Sequence, residues 1–377
     1  MQAFPIAKRK DFEPARLPLR HKSRPIAITP AIAALLWQHA PVAIGVSGGK
    51  DSQAAAIATF EYLDRIGHTG PRLLIHADLG IVEWADSLPV CEHLASLLGV
   101  ELVIVRRKQG GLMQRWESRW RSNVARYEDL STVSLVPCWS TPALRFCTSE
   151  LKTSQIHAAL GRSFKGLTVI SVVGVRRQES RQRARAGIAD RNHRSGIWTW
   201  RPILDWTEAE VFDAIDAWGV ALHPAYRQFG MTRVSCRFCI MSSLSDLKAA
   251  SCQLEAQGLY RRMVDLECRS TFAFQGARWL GDIAPHLLHP DARDALAFAK
   301  EMAARRIAAE HRISRSMLYV KGWPTRMLSD TEAELLAEVR AEVSDLLRLN
   351  ARFLDRDAIH GRYAELLAIK ASKSRSA

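Results

Sequence analysis

Six consecutive residues, Ser47, Gly48, Gly49, Lys50, Asp51 and Ser52, combine the types that hold a phosphate group. Two glycines let backbone N–H groups close on an anion, a helix start adds the positive end of its dipole, and a lysine supplies a mobile charge. The pattern is not a Walker A loop, which needs glycine where Ile44 stands and Ser or Thr where Asp51 stands. A second concentration of charge, VRRQESRQRARAGIADRNHR, carries Arg176, Arg177, Arg181, Arg183, Arg185, Arg191 and Arg194. Guanidinium groups match phosphate and sulfate oxygens in bidentate fashion. Arg176 and Arg183 are the expected anion contacts, with Glu179 orienting one of them, and the remaining arginines form a solvated face.

Cysteine supplies the third kind of chemistry. Cys236 and Cys239 form CRFC, and Cys138 and Cys147 bound CWSTPALRFC about a hundred residues earlier. Four thiolates of this kind suit zinc or an iron–sulfur cluster, and spacing does not choose between them. Burial as small apolar residues is the alternative. For Cys91, Cys252 and Cys268, set among apolar neighbours in expected helices, core packing is the better reading.

These residues need elements to position them. Val42, Ala43, Ile44 and Val46 read as a buried strand before the glycine turn, and Ala54 to Phe60 as a helix after it. Ala31 to His39 reads as a short helix ahead of that strand. Further apolar runs at Arg72 to His76, Glu101 to Val105 and Leu167 to Val175, with helical stretches such as Ser87 to Leu98 between them, predict a doubly wound, mostly parallel α/β sheet. Such sheets bind ligands beyond the carboxyl ends of their strands. SGGKDS follows the first strand, Asp78 and Gly80 the second, and GVRRQESRQRA the fourth. WRPILDW reads as a short extended segment. It leads to a helix opened by the capping box of Thr207 and Glu210 and stopped by Gly219. Residues 247–267, 291–311 and 331–354 are helical in pattern. The expected organisation is a basic arm over residues 1–29, a nucleotide-binding domain over 30–245, and a helical region over 246–377 ending in a disordered basic tail, KASKSRSA.

Composition bounds the reading. A chain of 377 residues, 47% hydrophobic, can bury a large core. No run approaches the ~20 apolar residues that span a bilayer, and the first residues lack a signal core, so a cytoplasmic protein with no membrane partner is expected. Lysine and arginine outnumber acids 53 to 39, a formal charge of +14, which favours polyanionic partners such as DNA or RNA. Seven cysteines in a reducing compartment point away from disulfides.

Four segments in order carry a family resemblance: SGGKDS, then RFCTSELKTSQI, then GVRRQESRQRA, then WRPILDWTEAEV with LHPAY and SCRFCIM. Together, over about residues 40 to 245, the chain resembles the phosphoadenosine phosphosulfate (PAPS) reductase family within the PP-loop ATP pyrophosphatase superfamily, and most closely its phage- and genomic-island-associated branch. The resemblance implies an adenine-nucleotide-alpha-hydrolase-like fold and a site for ATP, PAPS or APS. Ser47, Gly48, Gly49, Lys50, Asp51 and Ser52 would surround the phosphates, and Asp78 would lie near the ribose or a metal. Lys152 and Arg176 would be anion contacts. Lys50, Asp51 and Arg176 are the expected catalytic residues, and Mg2+ would bridge the phosphates.

The resemblance also implies a [4Fe–4S] cluster, held in the family by a double cysteine and a later CxxC. Here Phe146 and Cys147 stand at the double cysteine, so Cys138 would be the fourth ligand beside Cys147, Cys236 and Cys239, with zinc as the alternative occupant. Sulfite-forming reductases carry a nucleophilic cysteine in an ECG-type motif followed by histidine. The nearest counterpart, LECRS, has arginine after Cys268. Without that thiol a thiosulfonate intermediate does not form. The favoured expectation is therefore related to the sulfur-insertion enzymes of DNA phosphorothioation: ATP cleaved to AMP and pyrophosphate, activating a nucleic acid for sulfur transfer from a cysteine desulfurase or other donor. A PAPS or APS reductase and a non-catalytic, nucleotide-dependent nucleic-acid-binding module are the alternatives.

Overall fold

The computed structural model describes residues 24–375. The chain forms two compact units, one comprising residues up to Leu112 together with Arg145–Cys252, the other Met113–Leu144 together with Gln253–Ala377. Most of the expected N-terminal arm, residues 1–23, lies outside the described residues. Its last part is held on the first unit. Ala27 N donates to Pro202 O at 2.7 Å, and the indoles of Trp200 and Trp206 donate to the carbonyls of Ala27 and Pro25 at 2.8 and 2.9 Å.

Alternation of strand and helix in the first unit builds the predicted sheet. The strands are β1 (Val42–Gly45), β2 (Arg72–Asp78), β3 (Leu102–Arg106), β4 (Ile170–Val173), β5 (Ala189–Arg191) and β6 (Trp198–Trp200), and among the described residues they form one six-stranded sheet. Their order is β3-β2-β1-β4-β6-β5, parallel throughout except for the β5–β6 pair. Helices α1 (Pro30–Trp37), α2 (Lys50–Arg65) and α3 (Ser87–Leu98) alternate with the first strands. Successive side chains of β1 point to opposite faces. Val42 and Ile44 join Ala54–Ala58 of α2 in one core cluster, while Ala43 joins Leu73, Ile75, Leu160 and Phe164 in another. A sheet buried on both faces needs apolar residues at nearly every strand position, as β1 and β2 show.

The edge of the sheet departs from the expectation. β5 and β6 have three residues each, and β5 is too short and polar to show a strand periodicity. Of WRPILDW only Trp200 belongs to a strand, and the chain turns at Pro202–Asp205 before the helix Glu208–Trp218. That helix has the anticipated Thr207/Glu210 capping box and ends on Gly219 at φ 65°.

The second unit takes in residues 113–144, which the sequence reading placed in the nucleotide-binding domain. Aromatic packing explains the assignment. Trp116, on helix α4 (Leu112–Glu128), meets Trp139 and Phe274 edge-on at 5.2 and 6.2 Å, and Trp120 meets Phe272 at 6.3 Å. The helices Gln257–Ser270, Pro290–Glu310, Asp330–Leu347 and Arg356–Arg375 complete the unit. A core of Leu130, Val133, Leu336, Ile359 and Tyr363 joins the inserted segment to the last two. The basic end is helical to Arg375 rather than disordered. Its Ala, Lys and Arg residues are good helix formers, and Lys370 Nζ ties it to Pro324 O at 3.0 Å. No helix among the described residues is long and apolar enough to cross a membrane.

Candidate functional site

The strand order reverses at β1: the chain proceeds from β1 to β2 and β3 on one side, then returns to β4 on the other. Ligands bind open sheets at such a point, beyond the carboxyl ends of the strands. Both charged motifs arrive there, SGGKDS after β1 and GVRRQES after β4. Gly48 makes the turn possible, because its φ of 76° is left-handed and a Cβ there would meet Ser87 Cα at 3.2 Å and His223 Cδ2 at 3.1 Å. Gly174 does the same for the second motif. A Cβ on it would stand 2.3 Å from Asp51 O, so only glycine lets the segment after β4 pass the start of α2 and deliver Arg176.

Four charges converge here. Lys50 and Arg176 are almost completely buried, at 2% and 3% exposure. Arg176 Nε binds Asp51 Oδ1, and Lys50 Nζ lies 3.5 Å from Asp51 Oδ2. Glu208, the first residue of its helix, bridges the same two cations, with Oε1 2.9 Å from Lys50 Nζ and 3.7 Å from an Arg176 terminal nitrogen. Burial opposes the Lys50 charge, but Tyr226, Asp51 and Glu208 outweigh it and hold the ammonium above its ordinary pKa. The cluster is thus a pair of fixed cations held by one half-buried carboxylate and one, Glu208, that is 53% exposed.

Neighbouring side chains hold the loop. Ser52 Oγ donates to Gly49 O at 2.8 Å and accepts from Ser47 N at 3.3 Å. Tyr226 OH accepts from the backbone N–H of Lys50 at 3.1 Å and of Val234 at 3.3 Å. Its ring and that of Phe212 lie 5.2 and 5.4 Å from Lys50 Nζ. His223 accepts from Ala225 N through Nδ1 at 3.1 Å, which leaves Nε2–H to face Ser87 Oγ at 3.3 Å. Burial lowers this imidazole to about 4, against a small opposing pull from Asp86. His76 behaves oppositely. Burial alone would lower it, but hydrogen bonds involving Cys91 and Glu83 prevail and raise it to about 10. His76 thereby supports the loop from β2, contacting Val46 O at 3.0 Å.

Glu208, Tyr226 and His223 were not among the residues singled out for the site. Glu208 looked like an ordinary first-turn acid after a capping threonine, and the only signals for the other two were the quoted segment LHPAY and its position after the edge strand.

Of the other expected residues, Glu179 accepts from Arg176 N at 2.8 Å and pairs with Arg183, so it orients both arginine segments. Asp78 ends β2, where Oδ1 accepts from Gly80 N at 2.6 Å and Oδ2 pairs with Arg106 at 2.5 Å. Lys152 lies in a π-helical turn, Ser149–Thr153, and its charge is felt at Cys236 rather than at Lys50. Burial raises the Cys236 thiol, with Cys239, Glu83 and Cys147 adding to the effect and Lys152 opposing it.

The four-cysteine set is not assembled as expected. Cys147, Cys236 and Cys239 belong to the first unit, but Cys138 belongs to the second. There it is fully buried, its Sγ donates to Ser270 Oγ at 3.8 Å, and burial raises the thiol to about 12. Among the described residues no group of three or more His, Cys, Asp or Glu side chains is arranged to hold a metal ion. Cys147 and Cys239 both act electrostatically on Cys236, so these three expected thiols lie near one another. Cys252 also departs from expectation, since it is exposed at the end of helix Leu244–Ser251 rather than packed in a core.

Residues 41–242 match the family model of the phosphoadenosine phosphosulfate reductase domain. An uncharacterised 37.8 kDa protein from the gpa 5′ region of Escherichia phage 186 is 29% identical over 235 residues, covering 54% of this chain and 68% of its own. Among solved structures, PAPS reductase from Candida auris is similar at TM-score 0.35 and 14% identity, over 52% of this chain and 80% of its own. The U34-tRNA thiolase NcsA from Methanococcus maripaludis, solved with its [4Fe–4S] cluster, is similar at TM-score 0.37 and 16% identity, over 61% and 72%.

Proposed function

The chain belongs to the phosphoadenosine phosphosulfate reductase family, and from that premise we propose that it is an ATP-using enzyme that adenylates a nucleic acid for sulfur transfer. An acceptor oxygen attacks the α-phosphorus of ATP, the bond to the bridging oxygen breaks, and pyrophosphate leaves. Sulfur from an external donor then displaces AMP from the acceptor. The observation that carries this reading is the convergence of buried Lys50 and Arg176 on the glycine turn at the sheet's switch point. Fixed cations at that place stabilise charge growing on the leaving pyrophosphate without reorganising at the moment of reaction. Gly48, at positive φ, makes the turn, and the helix that starts after Gly49 would add the positive end of its dipole. Asp51 and Asp78 are both engaged by cations, so Mg2+ would enter on the nucleotide phosphates, where it would neutralise charge.

Cys268 does not favour sulfonucleotide reduction. Burial, with Glu267 and Asp265 adding, raises its thiol to about 12, and the thiolate is the nucleophile.

The test is anaerobic incubation of the full chain with labelled ATP and Mg2+, with and without DNA or RNA, resolving AMP from ADP. AMP and pyrophosphate should form, stimulated by the acceptor, and Lys50→Ala should lower the rate about 10²- to 10³-fold. No ATP cleavage under any of these conditions would sink the adenylation reading. Nucleotide-dependent affinity for nucleic acid without product would identify a binding module instead.

A further inference from the structure

The second unit carries a pocket with mostly apolar walls, among whose lining residues are a tryptophan and three lysines, and which the nucleotide chemistry of the first unit does not use. It is open, has a volume of about 420 Å³, and is lined by Val320, Lys321, Trp323, Lys370, Lys373 and Ser374, among others. Two elements build it. One is a tight hairpin in which Val320 and Trp323 exchange backbone hydrogen bonds at 2.9 and 3.2 Å around Lys321 and Gly322. The other is the last part of helix Arg356–Arg375, docked on the hairpin by Lys370 Nζ at 3.0 Å from Pro324 O.

Two features of the hairpin bear on what it can bind. Lys321 and Gly322 both have positive φ, 51° and 84°, as in a two-residue turn of the mirror-image type. The first position of such a turn favours Asn, Asp or Gly, so lysine there is a costly choice, and Lys321 is exposed at the tip. Beside it, the half-buried Trp323 lies with Lys373 Nζ 5.0 Å from its ring centroid, and Val320 is 57% exposed.

We propose that this cavity binds a single-stranded segment of nucleic acid, with a base stacked on Trp323 and the flanking phosphates on Lys321, Lys370 and Lys373. An aromatic platform among ammonium groups from separate elements is the arrangement that strand binding requires. The open groove and its chemistry match a repeating polyanion with exposed base faces. A base displaces Lys373 from the ring at little loss, because an exposed cation–π contact is weaker than base–aromatic stacking, and the freed ammonium then reaches a phosphate. The chain's formal charge of +14 adds long-range attraction of the same sign. The binding needs no ATP, so it stands independently of the adenylation chemistry.

The test measures fluorescence anisotropy of a labelled twenty-nucleotide oligo(dT) and its RNA counterpart with the full chain, without nucleotide, at several salt concentrations. Trp323→Ala should weaken binding about tenfold or more, and Trp323→Phe should retain most of it. Lys370→Gln with Lys373→Gln should reduce the slope of log affinity against log salt by about 1.4, or about 0.7 for each phosphate no longer neutralised. Lys321→Asn suits the turn better than lysine, so it folds at least as well and should still reduce the slope by about 0.7. Affinities and slopes equal to the parent's in all of these variants would overturn the proposal. So would displacement of the oligonucleotide by equimolar dTMP, which would make the cavity a mononucleotide pocket. Either failure would leave the nucleotide site of the first unit untouched, because no ATP takes part.

Discussion

Two buried arginines, Arg340 of the second unit and Arg176 of the first, differ in what satisfies the guanidinium. In the second unit Arg340 is fully buried and donates to main-chain oxygens: Tyr127 O at 2.8 Å, Arg352 O at 2.6 Å, Phe353 O at 3.2 Å and Glu128 O at 3.4 Å. Glu267 is its mirror image, accepting from the N–H groups of Phe274 and Leu280 at 2.7 Å and of Gly281 at 3.1 Å. Main-chain partners of this kind are fixed by the fold and leave nothing for a ligand to replace. In the first unit Arg176 and Lys50 are held by the side chains of Asp51 and Glu208, one of them largely in solvent. Such partners can be exchanged for phosphate oxygens. A carboxylate partner is not by itself the distinction, since buried Arg306 of the second unit pairs with Glu310, itself largely buried; what sets Lys50 and Arg176 apart is that Glu208 reaches them from solvent.

The largest expected effect breaks the structural side of this contrast. Arg340→Ala removes the donors that join the inserted segment at Tyr127 and Glu128 to Arg352 and Phe353, leaving buried carbonyls unpaired. Each buried carbonyl left without a donor costs about 1–3 kcal/mol, so the loss is expected to be several kcal/mol in all. Calorimetry should show a depressed melting transition, while ATP binding by the first unit stays near the parent's. A parent-like transition would show that the backbone clamp does not hold the second unit together.

Legibility follows the same division. The turn at SGGKDS and the arginine run after β4 could be placed because their signals are local: strand, glycine and charge lie within a few residues of each other. The parallel sheet could be read from its apolar runs. The partners of Lys50 could not, since Tyr226 stands 176 residues away and Glu208 serves a second purpose as a first-turn acid. Residues 113–144 gave no sign of leaving the first unit, because the aromatic contacts that claim Trp116 and Trp120 come from residues beyond 270 as well as from Trp139. Cys138 was grouped with Cys147 through the resemblance and their nearness in sequence, and neither signals that Cys138 packs in the second unit against Ser270.

A smaller effect sharpens the binding side through pH. His223 stays neutral because burial lowers it from 6.5 to about 4, and its Nδ1 must remain an acceptor for Ala225 N. Between those two values the unfolded chain binds the proton and the folded one does not, so stability falls as pH drops from about 6.5 to about 4 and is complete above that window. The loss approaches roughly 3 kcal/mol at the acid end. Melting temperatures of the parent and His223→Gln across pH 4 to 8 check the sign. Equal slopes in both would remove His223 as the cause.

The smallest effect is the most discriminating, because its sign separates two roles for Glu208. Its carboxylate competes with phosphate for Lys50 and Arg176, so Glu208→Gln should tighten ATP binding. A half-exposed ion pair is worth no more than about 1 kcal/mol, which limits the gain to several-fold. Folding stability should change by less than that, since Asp51 still holds both cations. Isothermal titration with ATP at low and moderate salt measures the difference, which should shrink as salt rises. Weaker binding in the variant would instead make Glu208 a group that positions Lys50 and Arg176 for the nucleotide. The distinction between exchangeable and fixed partners would then fail at the residue on which it most depends.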